Sequence, residues 1–522
     1  MYRTVRRGGM PAVGAVLVCV LGACGTTLQV GDRPAATSEA GQLSAAGSGP
    51  AVTAPSDPTG PAARPLRPTS GGAPAGNTGR RVPPTATAST AAGASAGPPR
   101  DAGRPPSDPA AIPATGPGWD KDDVYLGIPT ENDAPGTLPG VGIDFSPGNL
   151  NDDVAALLAA FNKAGGVLGR KIVAVFHNTS TLSIEANATS AAQSDCEYFS
   201  QDHRVSEAIN FLPAVPLPVC LKPTGIPDIE AGSPLIGAAE YQQWGPYLYT
   251  LAEPNVDVIA HTMVQRLSAD GFFDKWNAHT GSTSGGTTVK VGILEPDTPA
   301  GSELAERLAS DVRSAGYDVA KAFSYKDSLD GYTTEMGSAV LQFAAAGVTH
   351  VLNIPPIALE ELFFYDAASQ QHYFPRSGVT SFSLPNQQVA DLPHKELVGE
   401  VGISWTPTDA SPVPAPSAQA RQCDAYAKAA GIRDTTGLQV ENFRGVCDAI
   451  RLFVAAAQAG GGFTAADLAA GMAKVGARFA PASTYSSELS ASNHGLPGEV
   501  RDFRFDSSCT CMKYFGGLHP ID

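Results

Sequence analysis

Residues 25 to 118 are built almost wholly from Ala, Pro, Gly, Ser and Thr, with few aliphatic side chains and no aromatic one until Trp119. Such a stretch cannot bury enough apolar surface to offset the entropy of ordering it. Folding is therefore confined to the remainder of the 522-residue chain, about 400 residues from Trp119 onward. That is too long for one core and predicts two lobes. A flexible chain of about 94 residues has an r.m.s. span of roughly 50–60 Å, and its prolines extend it further. Residues 24–118 are thus expected to act as a tether for a globular head.

What precedes the tether is expected to be removed. Arg3, Arg6 and Arg7 lead into an apolar run from Met10 to Val20 and then Leu21-Gly22-Ala23-Cys24. A positive start, a short apolar stretch and small residues before a cut describe an export signal over residues 1–23 that is too short to span a bilayer. The Cys after the small residues predicts lipidation of Cys24, which would anchor the head to the outer face of the cell membrane through two or more acyl chains. The competing readings are a plain secreted chain cut near Ala23 and a true start at Met10. Both keep the protein outside the cytoplasm.

Cysteine usage agrees with export. Cys19 leaves with the signal and Cys24 takes the lipid, so Cys196, Cys220, Cys423, Cys447, Cys509 and Cys511 remain. An even number outside the cell predicts disulfides, and although six cysteines allow 15 pairings, their local grouping favours Cys196-Cys220, Cys423-Cys447 and Cys509-Cys511. A zinc site is the alternative, but the one close pair is Cys-Thr-Cys and no histidine lies at ligand spacing. No metal and no cofactor are expected.

Charge divides at the same boundary. Of 35 basic and 51 acidic residues, ten and five precede residue 119, so the head carries 25 against 46, net −21. An acidic head argues against nucleic acid as a partner.

Along the head, strand-like and helix-like segments alternate, which predicts α/β architecture with parallel sheets. Val124 to Ile128 reads as a strand, Asn151-Asp152-Asp153 as the cap of a helix facing inward with Val154, Leu157, Leu158 and Phe161, and Lys171 to Phe176 as a second strand. Later strands are expected at 289–294, 318–323 and 349–354, with helices near 256–267, 301–315 and 333–346. In open α/β sheets the carboxyl ends of the strands are where ligands bind.

The run Asn162-Lys163-Ala164-Gly165-Gly166-Val167-Leu168-Gly169-Arg170-Lys171-Ile172 resembles the signature of the branched-chain amino-acid-binding protein family, in which Asn-x-x-Gly-Gly-x-x-Gly-Arg joins the first helix to the second strand. The resemblance extends through the Asp297 to Leu304 loop and helix, Tyr325 to Tyr332, the helix Val446 to Ala459 and a closing strand Asp502 to Asp506, covering about 122–518. It implies two Rossmann-like lobes with parallel sheets joined by a hinge of crossing strands, the periplasmic-binding-protein-like I fold. Lobe 1 is expected over 119–251 and about 380–480, and lobe 2 over 252–379 and about 481–522. It further implies a small-molecule ligand trapped between the lobes, delivery to an ABC permease in the cytoplasmic membrane, and a monomer.

Members of that family that hold amino acids present hydroxyls and free backbone amides after the third strand. Here Ile209 to Cys220 offers no hydroxyl and has prolines at 213, 216 and 218, which lack N–H groups. An α-amino-acid ligand is thereby put in doubt, and an amide, amine, polyol or larger solute is left open. Strand ends nominate Thr130, Glu131, Asn132, Asn178 and Thr179 in the first lobe, and Asp297 and Thr298 in the second, against the competing reading of helix capping. Tyr332 resembles the position from which the family supplies an aromatic or acidic contact, Ser381 and Ser383 lie near the expected crossover, and Trp244 and Tyr247 could stack on a ligand, against the competing reading of core or hinge packing.

Catalytic patterns are missing. The Gly-x-Ser-x-Gly string at Gly93 to Gly97 lies in the tether, where no turn can hold its serine. There is no His-Glu-x-x-His and no phosphate-cradling Gly-x-x-x-x-Gly-Lys. No catalytic residue is expected, and the reading is a solute-binding lipoprotein for import rather than an enzyme. The alternatives are a ligand sensor or an envelope interaction protein using the same fold.

Overall fold

The computed structural model describes residues 112–131, 149–180, 187–212, 217–232, 235–355, 358–392, 394–432 and 437–521. The expected signal, Cys24, the tether up to residue 111, and Asn132 lie outside the described residues.

The first sheet is wholly parallel. It is built from β1 (Asp123–Thr130), β2 (Lys171–Asn178), β3 (Glu207–Asn210), β4 (Asp228–Glu230) and β5 (Leu248–Thr250), in the order β2-β1-β3-β4-β5. That order reverses direction between β1 and β3, and ligand crevices in doubly wound sheets open at such a switch, at the carboxyl ends of the strands. β1 and β2 have eight residues each, whereas β3 to β5 are short and buried along their whole lengths, as expected of parallel strands covered on both faces.

Three later helices complete this lobe. Ala418–Ala430, Gly437–Gly460 and Ala465–Val475 bury Cys423, Phe443, Ile450, Phe453 and Leu468 against Val124, Leu126, Ile128, Val154 and Leu157. Small side chains allow close approach here: Ala420, Ala427, Ala449, Ala456 and Ala457 are all buried.

The second lobe holds a seven-stranded sheet, after a two-stranded ribbon of β6 (Trp276–Asn277) and β7 (Ser282–Thr287). Its strands are β8 (Lys290–Pro296), β9 (Asp318–Tyr325), β10 (His350–Asn353), β11 (Arg376–Thr380), β12 (Val401–Ser404), β13 (Glu499–Asp506) and β14 (Cys511–Pro520), in the order β14-β13-β12-β11-β10-β8-β9. β8 to β12 run parallel, and β13 and β14 close the edge antiparallel. One face packs on helices Val256–Ala269 and Pro299–Ser314, the other on Leu329–Ala346 and Leu359–Gln370.

The chain passes between the lobes three times: after β5, between β12 and the helix Ala418–Ala430, and between Leu496, which packs in the first core, and β13. This corrects the expected boundaries. The return to the first lobe comes after β12 rather than near residue 380, because Val401 to Ile403 register with Gly378 to Thr380 in the second sheet. The last crossing also falls beyond residue 481, since Ala482, Leu489 and Leu496 remain in the first core.

The double-glycine run has a clear mechanical role. The helix Leu150–Lys163 ends at Ala164, and Asn162 returns its amide to β2: Nδ2 donates to the Ile172 carbonyl at 2.9 Å and Oδ1 accepts the Ile172 N–H at 2.7 Å. Gly166 sits at φ +66°, and a Cβ there would lie 1.9 Å from the Arg170 carbonyl oxygen, so no other residue fits. Arg170 is buried; its Nε donates to the Asp120 carbonyl at 2.6 Å and its Nη2 to that of Pro113 at 3.0 Å, while the guanidinium lies over Phe463. The motif thus fastens the incoming chain to the lobe.

The helix start differs slightly from expectation. Asn149, rather than the Asn151 to Asp153 run, is the cap, its Oδ1 accepting the N–H groups of Asn151 and Asp152; Asp152 and Asp153 fill the first turn, where negative charge is favoured. The three disulfides join Cys196 to Cys220, Cys423 to Cys447 and Cys509 to Cys511. Among the described residues no helix is long and apolar enough to cross a membrane.

Candidate solute-binding site

The carboxyl ends of the first sheet carry polar side chains in a row. Thr130 closes β1, fully buried, with its hydroxyl 3.5 Å from the His177 carbonyl. Glu131 follows it half-buried, and Asn178 closes β2 exposed. Thr179 is buried, its hydroxyl donating at 3.1 Å to Asp195 Oδ1, which also lies 2.5 Å from His177 Nδ1. Burial pushes the Asp195 carboxyl up, with His177 and Thr179 opposing. The His177 ring stacks on Tyr198 at 4.3 Å between centroids.

Further along the same edge, Asn210, Glu230 and Thr250 end β3, β4 and β5 in register. Asn210 Nδ2 donates to Glu230 Oε2 at 2.9 Å, and the Thr250 hydroxyl donates to the Glu253 carbonyl at 2.8 Å. Tyr241, on the helix Ala238–Trp244, pairs its hydroxyl with Thr250. Burial raises Asp228 to about 7 and lifts Glu230 well above the carboxylate range, where the neighbouring Asp228 adds to the effect. Two buried carboxyls so close hold at least one proton between them at neutral pH. Asn210, Glu230 and Thr250 were not among the residues nominated from sequence. Their signal was there in each case as a polar residue directly after an apolar one, Ile209, Ile229 and Tyr249, but strands this short gave it no frame.

In the second lobe, Asp297 follows β8 and is exposed. Its N–H donates to the Tyr325 carbonyl at 2.7 Å and its Oδ1 accepts the Asp327 N–H at 3.0 Å. Thr298 caps the helix Pro299–Ser314 by accepting the Gly301 N–H at 3.0 Å. Tyr332 is buried, donating to Asp327 and standing edge-on to Tyr325. Ser381 accepts the Trp405 N–H at 3.0 Å, holding β11 to the segment after β12. Ser383 donates to Glu361 Oε1 at 2.8 Å, Asn353 donates to the same oxygen at 2.9 Å, and the Gln388 amide donates to the other. Tyr332, Ser381 and Ser383 are therefore engaged in the lobe's own network. Trp244 is buried with Ile236 and Leu248, and Tyr247 is half-buried beside it, so both pack the first lobe.

A second buried carboxyl layer lies beneath these groups. Glu360 accepts the Tyr325 hydroxyl at 2.9 Å and Glu400 that of Tyr365 at 2.7 Å; burial raises each to about 8. The lobes touch where the helices Ala238–Trp244 and Pro299–Ser314 meet. The Glu303 carboxylate comes against Gly237 there, 2.1 Å from where a Cβ would stand. Among the described residues no group of three or more His, Cys, Asp or Glu is placed to hold a metal ion.

No protein-family profile matches the chain, and no curated protein does. Solved structures do. A periplasmic binding protein type 1 from Bordetella pertussis Tohama I superposes with TM-score 0.56 at 14% identity, over 77% of this chain and 100% of its own. An ABC transporter solute-binding protein from R. palustris, in complex with 4-hydroxybenzoate, gives 0.56 at 12% identity over 76% and 97%. A substrate-binding protein from Desulfitobacterium hafniense in complex with Leu gives 0.51 at 14% identity over 76% and 100%. Together with the two parallel sheets and the triple crossing between them, these likenesses identify the fold of this chain as that of the type 1 periplasmic binding proteins.

Proposed function

We propose that this protein is an extracytoplasmic solute-binding protein, anchored through Cys24, that captures a small polar solute between its lobes for an ABC-type permease. The observation that carries this reading is the chemistry of the strand ends. Glu131 and Asn178 in one lobe, and Asp297 and Asp327 in the other, end or follow the parallel strands where such folds take ligands, and each keeps exposed surface. Closure of the lobes on a solute would desolvate these groups, and the ligand would favour the closed form by its higher affinity for it.

The same chemistry bears on ligand class. Leu and 4-hydroxybenzoate, held by two of the structural neighbours, each carry a carboxylate. Here the accessible strand ends supply the carboxylates of Glu131, Asp297 and Asp327 and the carboxamide of Asn178, and the segment after β3 is short of donors because of its prolines. Such a surface favours a ligand rich in hydrogen-bond donors, an amine or an amide, over a free acid. Thermal unfolding of the full chain against amines, amides, amino acids, sugars and aromatic acids tests this. A binder at 100-fold its Kd adds about 2.7 kcal/mol of stability. A dose-dependent rise confined to amines or amides supports the reading; a rise confined to free acids refutes the ligand class.

A further inference from the structure

The three disulfides differ in setting. Cys423 and Cys447 are fully buried in the first lobe, and Cys196 is buried beside a half-buried Cys220. Cys509, by contrast, is exposed and Cys511 half-buried at the tip of the β13–β14 hairpin, where they close a ring across one residue, Thr510. Thr510 sits at φ +52°, a left-handed conformation that a β-branched side chain rarely adopts. A bridge over a single residue removes little freedom from the unfolded chain, so of the three it stabilises the fold least.

The hairpin does not need the bridge to keep its register. The ladder runs from Asp506 opposite Cys511 to Glu499 opposite Pro520. Beyond the ring, Ser411 donates its N–H to the Met512 carbonyl and accepts that of Tyr514, both at 2.8 Å, and the Tyr514 hydroxyl donates to the Thr406 carbonyl at 2.6 Å. The bond is accessible, spans a strained residue and can open while its surroundings stay folded, which are the properties of labile rather than structural disulfides.

We propose that Cys509–Cys511 is a thiol–disulfide exchange site that accepts two electrons from a dithiol. A thiolate of the dithiol attacks the exposed Cys509 sulfur; the new S–S bond forms as the Cys509–Cys511 bond breaks, and Cys511 leaves as a thiolate. The second thiolate of the dithiol then displaces Cys509 and closes the partner's own disulfide. The two protons of the dithiol end on Cys509 and Cys511. The partner needs only a pair of thiols able to close on each other, on a polypeptide or on a small molecule.

The oxidised full chain is incubated under native conditions with a reduced two-cysteine peptide, and separately with dithiothreitol, then alkylated and mapped by peptide mass. The expected result is a pair of labels at Cys509 and Cys511, arising at least about tenfold faster than labels at Cys196, Cys220, Cys423 or Cys447. The melting temperature is unchanged, and the C509S/C511S double variant oxidises nothing. Reaction with both reductants assigns a polypeptide partner; reaction with dithiothreitol alone assigns a small dithiol. First labelling at another pair, labelling only on unfolding, or equal oxidation by the double variant overturns the proposal.

Discussion

Glu400 and Glu360 are buried carboxyls that accept the hydroxyls of Tyr365 and Tyr325. Burial raises both to about 8, so the folded state holds their protons more tightly than the unfolded chain, where they titrate in the ordinary range. The sign follows from linkage: their contribution is fully present below about pH 4.5 and is lost as pH rises through about 8, at up to roughly 1 kcal/mol per pH unit for each group. Chemical denaturation between pH 5.5 and 8.5 should show stability falling with pH, and Glu400→Gln, which keeps an acceptor for Tyr365 without the titration, should flatten the slope. An unchanged slope contradicts the assignment. Arg170 makes a second prediction at this scale. Arg170→Ala removes its donors to the Asp120 and Pro113 carbonyls and its packing over Phe463, and should cost about 2–4 kcal/mol by denaturant unfolding.

Elements with a full period were legible in the sequence, and short ones were not. β1, β2, β8 and β9 carry apolar runs long enough to read, and the helices at 256–269, 299–314 and 329–346 show their inward faces. β12, with four residues, gave no signal of its own, which is why the second crossing, which comes between Ala410 and Ala418, was expected too early, near residue 380. The helix Ala418–Ala430 was hidden for another reason: its buried face is Ala420, Cys423 and Ala427, small residues that periodicity weighs lightly. Cysteine spacing read better than hydrophobicity here. The Cys423–Cys447 bond ties that helix to Gly437–Gly460 across the first core, closing a loop of 24 residues. Replacing both with alanine should cost about 3 kcal/mol and lower the melting temperature with the fold retained. A change within about 0.5 kcal/mol would mean that packing alone fixes the pair of helices. The candidate site was half legible on the same grounds. Thr130, Asn178, Thr179, Asp297 and Thr298 follow long strands and were nominated, whereas Asn210, Glu230 and Thr250 end strands of three or four residues and were not.

At the scale of the whole molecule, binding should draw on both lobes at once, because each contributes strand ends and neither alone encloses a solute. Contacts on one lobe only would make the protein a simple receptor without closure. Isothermal titration calorimetry of the full chain with the panel's tightest binder, wild type beside Glu131→Gln and Asp297→Asn, tests this most directly. The account predicts one site per chain, an amine or amide as the ligand, and a loss of about 1–2 kcal/mol, five- to thirtyfold in Kd, for each variant with folding unchanged. A ligand whose affinity neither variant alters, or a panel with no binder at all, would contradict capture between the lobes.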